Sequence, residues 1–140
     1  MKVMYTAEAH IEGEGRKGRG RTADDRLNVE LSVPSGLGGD DGPGTNPEQL
    51  FAVGYAACFH GALKKVARES GESVDGSSID SKVSLGSADD GLTLAVELEV
   101  AIPGKTQDEA KTLVEAAHQV CPYSRATRGN VEVTLTTRNG

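Results

Sequence analysis

Two cysteines are the side chains best suited to redox or nucleophilic chemistry in this sequence, and their settings differ. Cys58 lies inside the apolar run TNPEQLFAVGYAACF (45–59), and Cys121 opens the compact stretch CPYSRATRGN (121–130). They are too far apart for a CxxC redox motif, and two thiols alone do not supply the four ligands of a structural zinc site. Three readings follow from the residues: two inert thiols, one structural disulfide, or one catalytic peroxide-reducing pair. His118 and Cys121 are spaced HxxC, but His10 and His60 complete no recognisable ligand set, so no metal site is expected. The glycine-rich segment GLGGDDGPG lacks the Gly-Lys-Ser/Thr ending of a phosphate loop.

A cysteine among Ala56, Ala57 and Phe59 has the surroundings of a small core residue, and burial raises a thiol pKa. Cys58 is also too deep in its helix to gain from the positive end of the helix dipole. To react, it needs a cation from elsewhere. The source on offer is GEGRKGRGR (13–21), a loop or loose hairpin with four glycines and four cations, among them Arg16 and Arg19. Glu48 can serve as a helix-capping carboxylate or hold such an arginine by a two-pronged pair. Ten residues of helix separate Glu48 from Cys58, roughly 15 Å. Glu48 therefore cannot readily touch its own Cys58, although antiparallel packing of two such helices would let it reach the site of a partner subunit.

The elements that must position these groups are legible from periodicity. Val3, Tyr5, Ala7, Ala9 and Ile11 alternate as a half-buried strand, and Leu27, Val29, Leu31 and Val33 as another that ends at Pro34. Residues 35–46, with five glycines, form a loop. A helix begins at Thr45 or Asn46, with Pro47 in its first turn and Thr45/Glu48 spaced as a capping box, and runs to about Ser70 before Gly71. Its middle is apolar or small nearly all round, so it must be covered on every side, the second face by a partner subunit.

Ile79, Val83 and Leu85 suggest a less regular strand, and Leu92 to Ile102 alternate cleanly. Residues 106–120 form a second helix, capped by Thr106 and Glu109, with Leu113, Val114, Ala117 and Val120 inward. A Cys-Pro turn and a closing strand through Val131, Val133 and Leu135 follow. The order is α+β, with a largely antiparallel sheet packed on helices, in a single domain spanning 1–140.

Composition bounds the function. A net charge of −6 argues against a nucleic-acid footprint. No segment approaches the roughly 20 apolar residues of a membrane span, and MKVMYTAEAHIEG has no apolar core of signal-peptide length. A cytoplasmic location is the resulting expectation, and it disfavours a permanent disulfide while allowing a transient one.

The combination NPEQLF-x6-CF with VCPYS-x-ATRGN, together with LNVELSVPSGLGG, closely resembles the organic hydroperoxide resistance branch of the OsmC/Ohr family. The similarity runs from VMYTAEA to the final strand. One departure is Glu14-Gly15, where a glycine pair usually precedes the arginine; counting back from LNVELSVP favours Arg16 over Arg19. The resemblance implies a thiol peroxidase for organic hydroperoxides, including those of fatty acids. It assigns Cys58 as the attacking thiol, Cys121 as the resolving one, and Arg16 with Glu48 as the activating pair. It also implies no bound cofactor, a lipoyl dithiol or lipoylated protein as external reductant, and an intertwined homodimer with sheets wrapped around buried helices. Phe51, Phe59 and Leu37 are expected to line an apolar substrate site. The competing readings are an OsmC-type peroxidase of different substrate preference and a non-enzymatic thiol sensor.

Overall fold

The computed structural model describes residues 1–139, which form two compact units, 1–50 and 51–139. The first unit carries a three-stranded antiparallel sheet in the order β1 (Ala9–Glu12), β2 (Arg19–Thr22), β3 (Asn28–Glu30). The strand expected over residues 3–11 is thus confined to its last part. Alternation in 3–8 satisfies the strand period, but those residues have no pairing strand among the described residues, and Val3, Met4 and Tyr5 are exposed. The segment expected through Val33 is also shorter. After Glu30 the chain turns to meet the approach to the first helix, with Leu31 bridging Thr45 and the Thr45 N–H donating to the Glu30 carbonyl at 2.9 Å.

Helix α1 (Pro47–Glu69) starts in the first unit and continues into the second. Asn46 caps it, its side-chain oxygen accepting from the Gln49 N–H at 2.8 Å. The Thr45/Glu48 capping box does not form, because the Thr45 hydroxyl donates to Gln49 Oε1 and Glu48 is engaged elsewhere. The other end closes as expected at Gly71. Its left-handed φ of 70° lets the Glu72 N–H return to the Ala67 carbonyl at 2.8 Å.

In the second unit, β4 (Ser78–Ala88), β5 (Gly91–Ala101) and β6 (Glu132–Arg138) make a sheet in that order. β4 pairs antiparallel with β5 over its full length and is regular. Its pattern looked broken in sequence because Ser81 takes an inward place between Ile79 and Val83. β6 runs parallel to β5, so the segment between them is a crossover built of α2 (Gln107–Val120) and α3 (Pro122–Thr127).

The Thr106/Glu109 capping box of α2 is present in both directions. Val120 departs from expectation, being 43% exposed at the helix end, whereas Leu113, Val114 and Ala117 are buried. The core gathers Tyr55, Phe59, Leu63, Val66, Val96, Leu98, Val100, Ile102, Val114 and Cys121. Val53 on α1 is 72% exposed, and Ala57 and Gly61 share that open face at helical spacing.

Candidate active site

The first unit folds its basic loop around one arginine. Gly13, Glu14 and Gly15 all take positive φ (78°, 73° and 63°), and a short 3-10 turn, Gly15–Lys17, follows. At Gly18 an added Cβ would stand 2.0 Å from the Glu12 carbonyl oxygen, so only glycine lets the hairpin close. The turn delivers Arg16 to Glu48 in the first turn of α1. Nη1 donates to Oε2 at 2.9 Å and Nη2 to Oε1 at 2.7 Å. This two-pronged geometry is the strong form of a carboxylate–guanidinium contact. The Arg16 hydrogen bonds hold the Glu48 carboxyl below its ordinary range, opposed by partial burial. Arg19 lies in β2 and donates to Asn28 Oδ1 at 2.8 Å, so Arg16 is the arginine that Glu48 orients in this chain.

The second unit brings the cysteines together. Cys58 is half-buried, Cys121 is fully buried, and both are free thiols. The Cys121 thiol donates towards Cys58 Sγ at 3.6 Å. A disulfide needs about 2.05 Å, so a short approach suffices to join them. Cys121 is not at a simple turn: it lies between α2 and α3 with extended backbone, its N–H bonded to the Ala117 carbonyl and its carbonyl accepting from Arg125. Pro122 suits the first position of α3 because it has no N–H to satisfy. Burial pushes the Cys58 thiol above its ordinary value; a hydrogen bond from the Tyr123 backbone N–H opposes this, and Cys121 adds to the rise.

Three rings of the second unit pack on one another. Phe51 stacks on Tyr55 with centroids 5.8 Å apart, and Tyr123 packs on Phe51 at 6.1 Å and on Tyr55 at 5.8 Å. Of the three residues expected to line a substrate site, Phe51 belongs to this aromatic group. Phe59 is wholly buried in the core, and Leu37 is exposed on a 3-10 turn of the first unit.

Sequence reading passed over Tyr55, Tyr123, Ser124 and Thr127. Tyr55 and Ser124 are fully buried, and their hydroxyls lie 2.8 Å apart; Thr127 Oγ1 is 3.2 Å from the same tyrosine oxygen. His118 Nδ1 reaches Ser124 Oγ at 2.8 Å instead of joining Cys121 in a ligand set. Among the described residues no group of three or more His, Cys, Asp or Glu gathers where it could hold a metal ion. No described helix is long and apolar enough to cross a membrane.

Residues 38–136 match the family model described as OsmC-like protein. The chain is 55% identical over 136 residues to the organic hydroperoxide resistance protein of Xanthomonas axonopodis pv. citri, covering 96% of this chain and 95% of that one. It is 44% identical over 135 residues to the organic hydroperoxide resistance protein OhrB of Bacillus subtilis, covering 95% and 97%. Among solved structures, an organic hydroperoxide resistance protein from Elizabethkingia anophelis superposes with a TM-score of 0.94 at 45% identity, covering 100% of each chain.

Proposed function

The chain belongs to the organic hydroperoxide resistance branch of the OsmC/Ohr family, and on that premise we propose that it is a cysteine peroxidase reducing organic hydroperoxides, fatty-acid hydroperoxides included, to alcohols. The observation that carries this reading is the 3.6 Å approach of two free thiols, one half-open and one buried.

In the proposed cycle the Cys58 thiolate attacks the distal oxygen of the hydroperoxide. The O–O bond breaks, the alkoxide takes a proton and leaves as the alcohol, and Cys58 becomes a sulfenic acid. The Cys121 sulfur then attacks the Cys58 sulfur; the S–O bond breaks and water departs, leaving a Cys58–Cys121 disulfide that guards against overoxidation. A lipoyl dithiol, free or protein-bound, reduces the disulfide by exchange and is itself oxidised to the cyclic disulfide. No bound cofactor is required.

Because burial raises the Cys58 thiol, thiolate formation needs a positive charge. We assign that role to Arg16, held in orientation by Glu48, and give the arginine the further task of polarising the O–O bond. The aromatic group of Phe51, Tyr55 and Tyr123 suits an apolar peroxide substituent. A second copy would cover the open α1 face at Val53, Ala57 and Gly61, giving a homodimer that works in the cytoplasm.

Peroxide consumption measured with dihydrolipoamide and with a thioredoxin system, across fatty-acid hydroperoxides, cumene hydroperoxide and hydrogen peroxide, tests the reading. It expects rapid turnover of the organic peroxides with the lipoyl reductant. Stoichiometric thiol oxidation without turnover in either system would instead favour a redox sensor.

A further inference from the structure

Three helices of the second unit meet at one buried hydroxyl. Ser124, fully buried on α3, stands 2.8 Å from Tyr55 Oη on α1 and 2.8 Å from His118 Nδ1 on α2. Thr127 adds a second tie from α3 to the tyrosine oxygen at 3.2 Å, and Arg128 Nη2 donates to the His118 carbonyl at 2.6 Å. The positions in sequence matter. Tyr55 precedes Cys58 by three residues on α1, and His118 precedes Cys121 by three on α2, so each anchor lies one helical turn from a sulfur. Cys121 itself is the extended residue between α2 and α3.

We propose that the Tyr55–Ser124–His118 knot positions Cys121 against Cys58 and so sets the rate at which the disulfide closes. Ser124, Tyr55 and His118 are positioning residues here: they act by holding the α2–α3 junction and take no part in bond making. The proposal rests on the peroxidase reading for its place in the cycle, but the geometry of closure can be measured without any peroxide. A sulfur displaced by about an ångström loses rate by up to roughly 100-fold, because the attacking atom must lie close to and in line with the bond it breaks. A loosened knot therefore slows resolution while leaving the first attack on peroxide, in which Cys121 takes no part, near its original rate. A Cys58 sulfenic acid that waits longer meets a second peroxide more often and passes to the sulfinic acid.

The test uses Ser124→Ala, His118→Leu and His118→Asn in the full chain. Asparagine places a hydrogen-bonding atom where Nδ1 stands; leucine does not. Two quantities are read: single-turnover disulfide closure after cumene hydroperoxide, and the equilibrium between dithiol and disulfide in glutathione buffers. We expect about 10- to 100-fold slower closure and a comparable fall in effective thiol concentration for Ser124→Ala and His118→Leu, substantial recovery in His118→Asn, and more sulfinic acid per turnover. If Ser124→Ala does not fold, the half-buried His118 pair still decides the outcome. Wild-type closure and glutathione equilibrium in the folded variants, or equal loss in His118→Asn and His118→Leu, overturns the proposal. Failure of the peroxidase reading looks different: wild-type protein then fails to turn over peroxide, while the glutathione arm still reports whether the knot sets the sulfur separation.

Discussion

Arg16 and Glu48 are joined by two hydrogen bonds of 2.9 and 2.7 Å, and the arginine remains 42% exposed while the carboxylate is 13% exposed. The carboxylate is thus the fixed partner and the guanidinium the open one. A pair whose sole task was stability would gain little in this half-exposed place. An oriented guanidinium with an accessible face is what thiolate activation needs.

Arg16→Ala is expected to raise the Cys58 pKa further and to slow its oxidation about 100-fold or more. Arg16→Lys should restore little, since an ammonium cannot match both carboxylate oxygens. Thiolate absorbance against pH and stopped-flow oxidation measure the two effects. An unchanged titration would move the assignment to Arg19.

Cys121→Ser should leave the first oxidation intact and block disulfide formation. Mass spectra after a slight excess of hydroperoxide should then show oxygen added at Cys58, progressing to the sulfinic acid as peroxide rises. A Cys58 that stays unoxidised in this variant, or that is oxidised far more slowly than in wild type, would contradict the assignment.

Stability should fall as pH drops below about 6.5. Burial, with Lys64 beside one and Arg128 beside the other, depresses the pKa of both His60 and His118. The unfolded chain then binds these protons before the folded one does, so folded stability is present above 6.5 and is lost on the way down to the folded values. Glu48, whose pKa is lowered, acts in a separate window: its contribution is present above its ordinary value near 4.5 and fades as pH falls through the folded one. Urea midpoints between about pH 7.5 and 5 should decline in wild type, and His60→Gln combined with His118→Asn should flatten that decline.

Ala57→Glu should convert the proposed dimer to a monomer in sedimentation. It places a charge on the open face of α1 that includes Val53 and Gly61. A variant that sediments as wild type would mean that this face does not form the interface.

Gly18→Ala should cost about 1–3 kcal/mol in denaturant unfolding, because the new Cβ meets the Glu12 and Gly13 carbonyl oxygens at 2.0 and 2.7 Å. Loss of the turn should also release Arg16 and slow Cys58 oxidation.

The parts of this architecture written in local sequence were legible there. Asn46-Pro47 and Gly71 bound α1, Thr106 and Glu109 cap α2, and Leu94, Val96, Leu98 and Val100 alternate because they turn one face of β5 inward, although Leu92 at its start is exposed. What escaped depends on contacts between distant segments. Ser124 looks like any loop serine until Tyr55, 69 positions away, meets it in the core. The parallel pairing of β6 and the short helix after Cys-Pro have no periodicity of their own, and Ser81 interrupts the apolar pattern of β4 without interrupting the strand. Residues 3–8 show the converse: a strand period is present, and no partner strand is, among the described residues. At the site, the two thiols and the basic loop could be named from residue type, and the resemblance singled out Arg16, whereas the Tyr123 N–H on Cys58 could not be named, since every residue but proline has one.

The central claim is that Cys58 and Cys121 act as one peroxide-reducing pair. Adding one equivalent of cumene hydroperoxide to the reduced chain, then counting free thiols, the chain mass and the alcohol formed, tests it most directly. The account predicts one equivalent of alcohol, loss of both thiols together, and a mass lower by two hydrogens, with none of these changes in Cys58→Ser. Alcohol formed by Cys58→Ser at the wild-type rate, or both thiols still free after the wild-type chain has consumed the peroxide, would contradict it.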